Sequence, residues 1–89
     1  MIGCDYADEK IIMIFEDFSI REIRIDTLEE ISNFNVFFNN QMNYSGEIVV
    51  DFSLDRELNA IAISSANTVY VFDYQDNYKM LTRIDVENI

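Results

Sequence analysis

Eighty-nine residues with 49% hydrophobic and 13% aromatic content make one domain, residues 1–89, with a modest core, and exclude a disordered acidic tail. Seventeen Asp and Glu against six Lys and Arg leave a net charge of −11, which excludes direct binding to nucleic acid or to an anionic membrane, since both require a basic surface. With no histidine and one cysteine, Cys4, the chain has no internal disulfide, no Cys/His zinc site and no Cys–His nucleophile pair, so no cofactor and no metal are expected.

The N-terminal MIGCDYADEK has neither the basic nor the long apolar region of a signal peptide. The longest apolar run, 11–15, is far short of a membrane span. A reducing cytoplasm is the expected location, because small secreted domains usually depend on disulfides. No internal repeat stands out.

Residues 10–16, KIIMIFE, are apolar on both parities and predict a central strand covered on two sides. Residues 19–26, SIREIRID, alternate, and the two segments predict a hairpin. Thr27-Leu28-Glu29-Glu30 then matches a capping box, and Leu28, Ile31, Phe34, Phe38 and Met42 follow at helical spacing. This predicts a helix over roughly residues 28–41. The alternation of Phe34, Val36 and Phe38 supports a rival reading, two helical turns followed by a strand at 34–39.

Ser45-Gly46 predicts a loop. Four strands at short spacing follow, at 47–53, 58–64, 68–74 and 78–86, joined by LDRE, SAN and QDN. Connections this short join antiparallel neighbours. The expected fold is α+β in the order β-β-α-β-β-β-β: one twisted antiparallel sheet of five to six strands with a helix packed on a face.

Chemistry-bearing motifs are few. The two glycines, Gly3 and Gly46, are too far apart for a phosphate loop, and the acids match no EF-hand. Paired carboxylates are expected by chance at this acid content, so no enzymatic activity is expected. Two surfaces remain as binding candidates. One is the acidic turn Asp51, Asp55 and Glu57, whose carboxylates can imitate a row of phosphates. The other is the strand TVYVFDY. With Val69 and Val71 inward, Tyr70, Phe72 and Tyr74 form an outward aromatic stripe beside Asp73, Asp76 and Tyr78, suited to a binding hot spot. The alternative is a central strand buried on both faces.

Acidic charge on a folded platform points to a basic protein partner, a nuclease or a nucleic-acid-binding protein. The expectation is a non-catalytic inhibitor of the anti-CRISPR, anti-restriction or DNA-mimic type. The alternatives are an immunity protein neutralising a basic nuclease toxin and a homo-oligomeric assembly protein.

Overall fold

In the structure, a computed structural model that describes residues 1–44 and 46–86, the chain builds two four-stranded antiparallel sheets. Sheet 1 holds β1 (Gly3–Ala7), β2 (Lys10–Ile14), β3 (Ser19–Arg24) and β4 (Glu30–Asn35). Sheet 2 holds β5 (Asp51–Asp55), β6 (Ala60–Ser64), β7 (Thr68–Asp73) and β8 (Lys79–Asp85). Each sheet is a meander in chain order. The one helix among the described residues, α1 (Val36–Asn39), is a single turn. The α+β expectation of one sheet of five to six strands is therefore corrected: the fold is essentially all-β, in two sheets. No helix among the described residues is long and apolar enough to cross a membrane.

The hairpin expected over residues 10–26 forms as β2 and β3, with Ile11 opposite Ile23 and Ile14 opposite Ile20. The helix expected at 28–41 does not form. Leu28 sits in the left-handed region at φ 60°, which no helix N-terminus accepts. The Thr27 hydroxyl accepts from the N–H of Glu29, two residues on, as a turn and not as a helix cap. Residues 30–35 pair instead with β3, placing Phe34 opposite Ile20. Leu28, Ile31 and Phe38, three members of the supposed apolar face, are exposed. The rival order is reversed too: the strand comes first, and Asn35 then caps the short helix by accepting from Phe37 N–H at 3.0 Å. Gly46, at φ 81°, lies in the expected loop, while Ser45 lies outside the described residues.

The core lies between the sheets. Ile12, Ile14 and Ile20 face it from sheet 1; Ile61, Ile63, Tyr70 and Phe72 face it from sheet 2. Phe18, Val36, Phe37 and Val49 close it from the connections. The sheets stack in the same order and direction. β1 lies against β5, where a Cβ on Gly3 would come within 2.9 Å of the Phe52 ring. Arg56, after β5, donates to Tyr6 O at 2.9 Å. Gln75, after β7, donates to Asp8, after β1, at 2.9 Å. On the far side, the rings of Phe34 in β4 and Tyr78 before β8 meet at 5.0 Å. Sheet 2 thus repeats sheet 1 by a shift along the stacking direction.

Candidate functional site

In a meander, every second turn falls at the same end. Four turns, 8–9, 25–29, 56–59 and 74–78, therefore gather at one end of the stack. Contacts between them hold the cluster: Gln75 to Asp8, Tyr74 N–H to Asn59 O at 3.1 Å, and Ile25 N–H to Glu9 O at 3.2 Å. Each turn brings carboxylates. Asp8, Glu9, Glu29, Asp55, Glu57, Asp73 and Asp76 form no ion pair among the described residues. Asp26 and Asp5 are paired with Arg24 and Arg56 respectively. The hydrogen bond from Arg24 holds the Asp26 carboxyl below its usual range.

Asp55 and Asp73 have a structural part as well. Asp55 Oδ1 accepts from the N–H groups of Glu57 and Leu58 at 2.9 and 3.2 Å. Asp73 Oδ1 accepts from those of Gln75 and Asp76 at 3.0 and 3.3 Å. Each carboxylate folds its own turn, then offers its remaining negative charge to solvent. The two lie in one row across the sheet, Asp55 opposite Ala60 and Ala60 opposite Asp73. Two strand spacings, about 9.6 Å, separate them.

The structure brings Asp55, Glu57, Asp73 and Asp76 together. Asp51 stands apart, at the opposite end of β5, about 13 Å along the strand. The outward aromatic stripe is corrected. Tyr70, Phe72, Tyr74 and Tyr78 are all buried, and Val69 and Val71 take the outer face of β7. The tyrosines go inward because each ring removes more apolar area from water than a valine does, and each hydroxyl finds an acceptor. Tyr70 OH donates to Glu47 at 2.6 Å, Tyr78 OH to Glu22 at 2.9 Å and Tyr74 OH to Asn59 at 3.5 Å. The Tyr70 ring also meets Phe18 and Phe37 edge-on, at 5.5 and 5.4 Å.

Tyr74 reports the field at this end. Its hydroxyl is held above the ordinary 10.0, first by burial and then by Asp8, against the opposing pull of Arg56 and with Asp55 and Asp73 adding. Sequence reasoning missed Asp8, Glu9 and Glu29 as members of the cluster. The signal was present, since alternate turns each begin with or contain acids, but it needs the turn count of each meander to be read. Cys4 is exposed and unpaired with any other cysteine. Among the described residues no group of three acidic or cysteine side chains is arranged to hold a metal ion.

No protein-family model matches the chain, and no curated protein matches it.

Proposed function

We propose that this chain is a non-catalytic binding module whose acidic turn end docks on a cationic protein surface. The partner class is a nuclease or nucleic-acid-binding protein, and docking blocks the surface that would hold nucleic acid. One observation carries this reading: four turns from two sheets converge at one end, and seven carboxylates in or directly before them form no ion pair among the described residues. Carboxylates fixed on rigid turns raise the local potential and steer a cationic partner, at a rate that falls with salt. The internal bonds of Asp55 and Asp73 keep those two groups in place before any partner arrives. Ordering on binding therefore costs little.

The test is neutralisation in place. Asp55→Asn, Glu57→Gln, Asp73→Asn and Asp76→Asn combined keep the turn acceptors and remove the charge. The partner is a basic protein captured from native lysate at low salt and eluted as salt rises. The fourfold variant is expected to associate with it at least about tenfold more slowly, with a flatter salt dependence. Asp51→Asn, at the far end of β5, is the control and leaves both unchanged. Equal rates and salt slopes for the fourfold variant and the parent chain would refute the reading. The captured protein must also lose its nucleic acid when this chain is added; simultaneous binding of both counts against blocking.

A further inference from the structure

β2 and β7 are apolar on both faces, yet among the described residues each sheet is covered on one face alone. Ile11, Met13 and Ile23 point outward from sheet 1; Val69, Val71 and Ile84 point outward from sheet 2. These side chains form rows. Ile11 pairs across strands with Ile23, and Val69 pairs with Ile84. An antiparallel sheet with one solvated face normally alternates apolar and polar residues, whereas strands apolar on both parities belong to doubly covered sheets. The pattern in KIIMI and TVYVF thus calls for two neighbours per sheet, and the described residues supply one.

The charge follows the same division. On the outer face of sheet 1, Arg21 is neutralised by Glu30 at 2.7 Å. On sheet 2, Val71 has Ala62 and Thr82 beside it, and the acids of that face, Asp51, Asp55 and Asp73, stand at strand ends. The centres of both faces are close to neutral in a molecule of net charge −11.

We infer that copies of this chain stack head to tail, the outer face of sheet 2 seating on the outer face of sheet 1 in the next copy. The occupant follows from the internal repeat. Because sheet 2 is sheet 1 shifted along the stack, with the same strand order and direction, the two outward faces can meet in the backbone arrangement already made inside the chain, with other side chains. A second copy continues that series. Such a contact is heterologous, and it closes into a ring if each step turns. Gly3 admits a close approach where β1 meets β5, whereas the Phe34 and Tyr78 rings stand between the sheets at the β4–β8 edge. If that difference tilts each step, repetition gives a radial array of about four to eight sheets, hence two to four copies. The shift keeps every turn end on the same side, so the ring would display its acidic ends together.

Sedimentation of the full chain, up to millimolar concentration and over a salt series, tests this. Self-association is expected, and it strengthens with salt as the repulsion between acidic copies is screened. Val71→Lys and Met13→Lys each spoil one half of the contact and are expected to be monomeric alone. Mixed, they retain one good pair of faces and form a one-to-one dimer that grows no further. A parent chain that stays monomeric at all concentrations and salts overturns the inference. So does a Val71→Lys chain that self-associates, since that would mean a symmetric contact through sheet 1. Circular dichroism confirms folding of each variant. If either fails to fold, Ile84→Lys and Asn33→Lys, at exposed positions of the same two faces, replace them with the same expected outcomes.

Discussion

The two sheets trace the same path with different residues. Both are four-strand meanders, and both have a bulge in the last strand pair, between Glu22 and Ile23 in sheet 1 and between Val71 and Phe72 in sheet 2. The skipped residues, Ile31 and Leu81, are exposed in both. The inner faces differ. Sheet 1 offers aliphatic side chains and the buried carboxylate of Glu22; sheet 2 offers aromatic rings and the hydroxyls that come with them. The pairing is complementary in volume and in hydrogen bonding. Isoleucines fill between rings, and Glu22, held by Lys10 at 2.6 Å, accepts the Tyr78 hydroxyl from across the core. A repeated path therefore does not require a repeated sequence. Each sheet is fitted to the opposite face of the other, so their core positions diverge.

The largest expected effect breaks the aromatic side of this pairing. Tyr70→Ala removes a ring packed against Phe18 and Phe37 and leaves a cavity, at about 3–5 kcal/mol. That is a large part of the total stability of so small a domain. Val71→Ala, the next residue on the outer face, is expected to cost less than about 1 kcal/mol. Urea midpoints for the two variants check the assignment of faces. A reversed ranking would mean that β7 presents its other side to the core.

This inversion marks where the sequence stopped being legible. Strand positions were readable because 10–14, 60–64 and 68–73 carry β-branched and aromatic residues between turn-forming ones. The face of β7 was not, since Val69 and Val71 alternate with Tyr70 and Phe72 and both sets are apolar. Only the packing between the sheets, where the Tyr70 ring meets Phe18 and Phe37, decides for the larger residues. β1 was missed because Gly3, Asp5 and Ala7 form its inner side, with no apolar alternation, and Asp5 is held there by Arg56. The helix was misread because a capping-box pattern and a three-to-four residue spacing are local signals. They were outcompeted by pairing with β3, which buries Phe34 against Tyr78. That misreading also hid the break between sheets. Among the described strands the longest gap lies between Asn35, which ends β4, and Asp51, which begins β5, and it is there that the chain passes from one sheet to the other. In the candidate site, Asp55, Glu57, Asp73 and Asp76 were identified from composition within turns. Their neighbours from sheet 1 were not, because the two meanders had been read as one.

A smaller effect tests the polar bridge between the sheets. Burial first, then the negative charge of Glu22 and its hydrogen bond, hold the Tyr78 hydroxyl protonated far above its ordinary 10.0. The unfolded chain releases this proton near pH 10 while the folded chain keeps it. The contribution is fully present below pH 10 and is lost as pH rises beyond it. Tyr78→Phe is expected to cost about 1–2 kcal/mol at neutral pH, through the lost bond to a buried carboxylate. It is also expected to flatten the fall in stability above pH 10 seen in urea titrations of the parent chain. An unchanged alkaline slope would locate that titration in other tyrosines.

The smallest effect sharpens the comparison at the turns. Sheet 1 places Asp8, Glu9 and Leu28 in the left-handed region, at φ 52°, 62° and 60°, although side chains of the size of Glu and Leu disfavour it. Sheet 2 places Asn59 there, at φ 54°, and Asn77, at φ 52°, both of a residue type that tolerates it; Tyr78 beside them is the exception. The two-residue turn at Asp8-Glu9, with both φ positive, has the type I′ shape that favours glycine at its second position. Glu9→Gly relieves that strain, and the gain outweighs the added freedom of the unfolded chain by about 0.5 kcal/mol. Asn59→Gly has no comparable strain to relieve, so it should leave the melting temperature unchanged or lower it. Thermal melts of the two variants side by side decide this. If both gain equally, the turns of the two sheets are equally strained, and the difference between the sheets resides in their inner faces alone.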